Sequence, residues 1–147
     1  MRKINEIIVH CTATPRGREV SVQEIDRWHR KRGFDAGTVS ASGLRSIGYH
    51  YVIHLDGTVE PGRDEALIGA HCRGHNSHSI GICYVGGLSS DGRKPIDTRT
   101  DAQRMAMTRL IRELTERYPG ATVHGHNEFA PKDCPCFNAG KEFGGNP

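Results

Sequence analysis

Three short apolar runs, EIIVHC (6–11), HSIGICYVGG (78–87) and ATVHG (121–125), restrict what this chain can fold into more than any other feature. Each reads as a strand, the first two as buried ones. The segments between them have a different period. SVQEIDRWHRKRG (21–33) places Val22, Ile25, Trp28 and His29 at helical spacing, opens on a Ser21/Glu24 capping box and stops at Gly33. TDAQRMAMTRLIRELTERYPG (100–120) is the longest helix, boxed by Thr100 and Gln103 and stopped by Pro119 and Gly120. Its Ala106, Leu110, Ile111 and Leu114 should face the core. YHYVIHLDGTVEPG (49–62) reads as a hairpin turning at Asp56 and Gly57. The order strand, helix, hairpin, strand, helix, strand implies an α/β domain with one central sheet and helices packed against it. FDAGTVSASGLRSIG (34–48) lacks periodicity and is expected to be a mobile surface loop. NAGKEF (138–143) is expected to make a turn of helix before a frayed Gly-rich tail.

A chain of 147 residues is the size of one domain, here 1–147 with its core over about 5–138. The formal net charge of +3 suits an anionic polymer, but no basic run marks a nucleic-acid footprint, and no nucleic-acid partner is expected. No apolar stretch approaches a membrane span, so no membrane partner is expected either. The start, MRKINEIIVH, holds too short an apolar run for a signal-peptide core. The chain is therefore expected to be cytoplasmic at synthesis. Five cysteines, Cys11, Cys72, Cys83, Cys134 and Cys136, do not all pair within one chain, and they read as thiols in a reducing compartment.

The stretch HGHNEFAPKDCPC (124–136) gathers soft ligands on an irregular loop that Pro131 and Pro135 keep from forming a regular helix. His126 and Cys134 stand far enough apart for the loop to fold back round an ion. His10, at the end of the first strand, is the natural third ligand. In α/β sheets sites sit outside strand ends, where His10 and His126 both lie. Three protein ligands with one open position are the pattern of a catalytic zinc. Against this, a strand-end histidine is usually a hydrogen-bonded structural group, and a free cysteine is often a small buried hydrophobe. No short pattern here is a standard zinc motif, so composition and spacing leave both readings open.

Five blocks, IIVHCTAT, VQEIDRWHRKRGF, IGYHYVIHLDGTVEPGRDE, IGAHCRGHNSHSIGICYVGG and HNEFAPKDCP, cover most of residues 6–137. Together and in this order they resemble the N-acetylmuramoyl-L-alanine amidases of the bacteriophage lysozyme type, in the superfamily of the peptidoglycan recognition proteins. The resemblance implies a central mixed β-sheet flanked by helices and one Zn2+ per chain. It implies hydrolysis of the amide between N-acetylmuramic acid and L-alanine, with peptidoglycan as the partner of an expected monomer. It makes His10, His126 and Cys134 the metal ligands, Tyr49 and Lys132 the catalytic pair, and His71 and Asn76 part of the substrate groove. Some relatives carry a glutamate base on the strand that here reads SIGICYV. Cys83 occupies that place, which favours the tyrosine-plus-lysine version. A phage or prophage endolysin, reaching the wall after release or delivery, is the expected biology.

Two other functions fit parts of the sequence. One is a non-catalytic peptidoglycan-binding module, although such proteins typically lack one zinc ligand, often the cysteine. The other is a purely structural zinc, with Cys136 as a fourth ligand. Cys11, Cys72 and Cys136 are otherwise expected to be bystanders. His29, His50, His54, His75, His78 and His124 are expected to be structural or surface groups. His50 should point to the opposite sheet face from Tyr49.

Overall fold

The structure, a computed structural model, describes residues 2–144; the last residues of the expected tail, 145–147, lie outside the described residues. The elements run β1 (Glu6–Cys11), β2 (Thr14–Pro15), α1 (Val22–Lys31), β3 (Tyr51–Ile53), β4 (Val59–Pro61), β5 (Ser79–Tyr84), β6 (Gly87–Leu88), α2 (Asp101–Arg117), β7 (Thr122–Gly125) and α3 (Ala139–Phe143). Five strands form one sheet in the order β4-β3-β5-β1-β7, and β2 pairs with β6 separately. β1 is parallel to both β5 and β7, β3 is parallel to β5, and β4 returns antiparallel to β3. The sheet is therefore mixed.

The apolar run of β1 follows from its place. A strand paired on both edges and covered on both faces has nowhere to put polar side chains, and Ile7, Ile8 and Val9 are fully buried. Ile7, Val9, Ile80 and Ile82 share a core with Met107, Leu110 and Leu114 of α2. A second core gathers Val22 and Ile25 of α1 with Val52 and Val85. Each fully buried aliphatic side chain contributes roughly 1.5–3 kcal/mol. The period of two along β1 assigns Glu6, Ile8 and His10 to the sheet face away from α2.

Caps decide where the helices begin. The Thr100/Gln103 box is complete. Gln103 does more, because its buried amide also donates to the carbonyls of Ile53 and Val85, tying α2 to β3 and to the end of β5. At α1 only half of the expected box forms. Ser21 accepts from the Glu24 N–H, but the Glu24 carboxylate pairs with Arg18 at 2.6 Å instead of reaching back.

The loop over 34–48 is a surface segment only in part: residues 35, 37–39, 41, 43 and 45 are exposed, but its second half turns inward. Leu44 and Ile47 are buried in the second core. Asp26 accepts from the N–H groups of Ser46 and Ile47, and Arg63 donates to the carbonyls of the same two residues. Polar side chains from α1 and from the segment after β4 thus satisfy a backbone that has no ladder of its own. Tyr49 and His50 also depart from expectation. Regular pairing begins only at Tyr51, so strict alternation does not reach them. Tyr49 lies 5.2 Å from the His10 ring and His50 lies 5.8 Å from the His71 ring, so both face the same group of imidazoles.

Two histidines act as fixed hydrogen-bond acceptors in this frame. His29 Nδ1 accepts from the Gly48 N–H at 2.8 Å, and His50 Nδ1 accepts from the Gly81 N–H at 2.9 Å. Burial, with help from nearby arginines, pushes both down to about 4. The unfolded chain protonates these rings near pH 6.5, while the folded chain resists until about pH 4. Their stabilisation is complete above the first value and is lost as pH falls toward the second. It amounts to on the order of 3 kcal/mol per ring. In chelator-treated protein the urea midpoint should fall between pH 6.5 and pH 4, and more gently in His50→Gln.

Candidate metal and active site

Strand register brings the soft ligands together. β1 and β7 run parallel with Val9 opposite Gly125. The next residue on each chain segment is a histidine, so His10 and His126 continue side by side. His10 Nδ1 lies 3.1 Å from His126 Nδ1. His126 opens a one-turn helix, and the chain then returns so that Cys134 Sγ accepts from the Cys11 N–H at 3.2 Å. The Tyr84 hydroxyl, donating to the Pro135 carbonyl at 2.7 Å, anchors that return.

One donor atom each from His10, His126 and Cys134 lies within 4.8 Å of the other two, and among the described residues no fourth histidine, cysteine or carboxylate joins them. Two imidazole nitrogens and a thiol suit zinc. At Zn–N bonds of about 2.0–2.1 Å a tetrahedral ion spaces its nitrogens by about 3.3 Å, close to the separation of the two Nδ1 atoms. Cys136 is turned elsewhere. Its Sγ lies 4.0 Å from Cys11 Sγ and donates to the Gly87 carbonyl, so it is not placed to close the set. The triad faces a cavity of about 680 Å³ lined by Tyr49, His71, Asn76 and Lys132 among others. All seven residues singled out by sequence therefore meet in one place.

Burial and charge set the protonation of the site. His10 is held well below the usual imidazole range, first by burial and then by the His126 and Lys132 charges. His126 is pushed down to about 4 by burial, with Lys132 and Arg32 adding to it. Both rings are thus neutral at pH 7, as metal ligation requires. Tyr49 is pushed well above the usual phenol range by burial and the nearby Cys83, Cys134 and Cys11 sulfurs, so its hydroxyl keeps its proton. Cys83 stands directly opposite His10 in the β1–β5 register, and burial raises its thiol well above the usual range. It is a neutral neighbour, not a base. Lys132 is exposed on the cavity wall.

His71 is more closely bound to the ligand set than groove lining implies. Its Nδ1 lies 2.8 Å from His10 Nε2, and its Nε2 lies 3.2 Å from Ser79 Oγ. One tautomer set satisfies the whole chain: His10 Nε2–H donates to His71, His71 Nε2–H donates to Ser79, and His10 Nδ1 keeps a lone pair for a metal. Such outer partners orient metal ligands. Asn76 ties the same segment, because its Oδ1 accepts from the N–H groups of His71 and Cys72. Glu128, at the base of the return loop, accepts from the Gly125 N–H and pairs with His124. Arg32, Arg73 and Phe129 also line the cavity. All three lie inside the five blocks, but nothing in those blocks marks them as groove residues; the folded packing does.

Comparison with known proteins bears on all of this. Residues 1–137 match the N-acetylmuramoyl-L-alanine amidase family. The chain is 40% identical over 137 residues to the endolysin of Klebsiella phage KP32, covering 93% of this chain and 83% of that protein. It is 41% identical over 132 residues to the endolysin of Escherichia phage T7, covering 90% of this chain and 80% of that one. Among solved structures, the N-acetylmuramoyl-L-alanine amidase LysC from Clostridium intestinale superposes with a TM-score of 0.75 at 27% identity, over 96% of this chain and 82% of that chain.

The His71 ring rests against two glycines. A Cβ on Gly81 would stand 2.6 Å from the ring, and one on Gly69 would stand equally close. Gly81→Ala must displace the ring or the strand, and such overpacking costs about 1–3 kcal/mol. The measurement is the urea midpoint, which should drop while far-UV circular dichroism stays unchanged.

Proposed function

The chain belongs to the N-acetylmuramoyl-L-alanine amidase family, and from that premise we infer that it hydrolyses the amide between N-acetylmuramic acid and L-alanine in peptidoglycan as a zinc-dependent endolysin of the phage type. The observation that carries the zinc dependence is the three-ligand set of His10, His126 and Cys134, open toward a cavity. When bound there, zinc supplies Lewis-acid polarisation and lowers the pKa of a water to about 7.

The chain's own residues supply the rest. His71 and Ser79 hold the His10 ring in the tautomer that presents Nδ1. Lys132, two residues before Cys134 on the same loop, offers its ammonium to the oxygen on which negative charge develops as the amide carbonyl is attacked. Tyr49 keeps its proton at neutral pH. Its hydroxyl donates a hydrogen bond to that oxygen or orients the attacking water. Cys83 stands where a carboxylate base would reach the site and carries no charge, which leaves the proton work to Tyr49 and Lys132. His71 and Asn76 shape the groove wall that receives the muropeptide.

Digestion of purified peptidoglycan with zinc-loaded protein, read by mass spectrometry, should release stem peptides with a free alanine amino terminus. Cys134→Ser should lose the zinc that wild type retains through dialysis, and with it the activity. Lys132→Ala should retain that zinc and lose roughly 10²- to 10³-fold in kcat. Binding to cell wall with no cleavage by the zinc-replete protein would refute the enzymatic reading and favour a recognition module.

A further inference from the structure

A second group of ligand-type side chains lies on the same sheet face, away from the amidase centre. Glu6 opens β1, four residues before His10, a distance of about 13 Å along an extended strand. Its Oε1 lies 2.8 Å from His75 Nδ1 and 2.9 Å from His78 Nε2. These three side chains also place one donor atom each within 4.8 Å of the other two. The parallel register brings Glu6 and His78 together. Glu6 pairs with Ser79, and the residue just before Ser79 is His78 at the end of a one-turn helix.

We propose that Glu6, His75 and His78 form a second divalent-metal site, taking a borderline ion of the zinc class and clamping the segment 71–78 to the start of β1. Two imidazoles and one carboxylate are a complete protein donor set for such an ion, with a position left for water. The observed 2.8 and 2.9 Å separations need to widen by only about 0.4–0.5 Å to become two edges of a tetrahedral zinc site. The His75 ring is already oriented, because it stacks on Phe129 at 3.9 Å with an interplanar angle of 22°. His124 stands on the other side of the carboxylate, its Nε2 4.0 Å from Glu6 Oε2. The three side chains are 17%, 26% and 34% exposed, so an ion in solution reaches them without opening the fold.

The clamped segment joins the two centres. At one end His71 hydrogen-bonds His10, and at the other His75 and His78 face Glu6. Asn76 ties the two ends through its bonds to the N–H groups of His71 and Cys72. A metal at Glu6 thereby fixes one wall of the groove. With no thiolate in its donor set, the second site binds zinc more weakly than the Cys134 centre, and it fills second.

The test is a titration of metal-free protein with Zn2+ and with Co2+. Wild type should take up two equivalents of Zn2+. His78→Gln and Glu6→Gln should each take up one. The double variant His126→Ala/Cys134→Ala should also take up one, and the triple variant with His78→Gln none. The double variant separates this site from the amidase centre, since loss of that centre leaves the second equivalent in place. With Co2+, the first equivalent should show the thiolate charge-transfer band and the second only ligand-field bands. One equivalent in wild type, or two in His78→Gln, would overturn the proposal.

Discussion

The parallel pairing of β1 with β5 on one side and β7 on the other is the constraint on which the rest depends. It buries the strand completely, so its side chains are sorted by a period of two. Ile7 and Val9 go to the α2 core, while Glu6, Ile8 and His10 go to the opposite face. A slip of one residue would exchange these sets, placing imidazole and carboxylate among the aliphatic side chains of α2. The cost of burying those polar groups without partners is what holds the register. The same register sets His10 beside Cys83 and next to His126, and sets Glu6 beside the turn that carries His78.

A centre built in this way has a consistent electrostatic character. Its imidazoles are neutral because they are buried and because Lys132 stands nearby. Its phenol and the Cys83 thiol keep their protons because they too are buried. The result is a pair of neutral imidazoles, a protonated phenol, Lys132 on the open side and, among the described residues, no carboxylate in the donor cluster. The membership in an amidase family and this arrangement point to the same chemistry, a reaction in which negative charge grows on a carbonyl oxygen. Cys83, opposite His10 in the register, puts a neutral thiol beside the imidazole.

The histidines show where sequence reading stops. Nine of them are spread through the chain. Periodicity separates none of His10, His29, His50 and His71, which all sit near apolar residues and end up joined ring to ring, His71 beside His10 and His50, and His29 beside Tyr49. His29 and His50 prove to be backbone acceptors that hold the loop 34–48 and the start of β3. His71 proves to be hydrogen-bonded to His10, and that bond depends on the glycines at Gly69 and Gly81 that make room for its ring. The loop 34–48 looked unstructured for a related reason. Part of its order comes from Asp26 and Arg63, which are distant in sequence, and part from its own Ala36–Arg45 and Ser40–Leu44 backbone bonds, which no periodicity marks.

What the sequence determined by itself was everything local. The apolar runs specified strands, the Thr100/Gln103 pair and the Asp56–Gly57 turn specified boundaries, and the five family blocks specified the class of protein and which residues to watch. Those signals act over a few residues, through backbone geometry, capping and side-chain period. What only the tertiary structure decided was which watched residues touch. The Nδ1 contact of His10 with His126, the turning away of Cys136, the His71 bond to His10 and the meeting of Glu6 with His75 and His78 all arise from strand register and loop return. Those are cooperative properties of the whole sheet, set by where its cores close, and no short stretch of sequence encodes them.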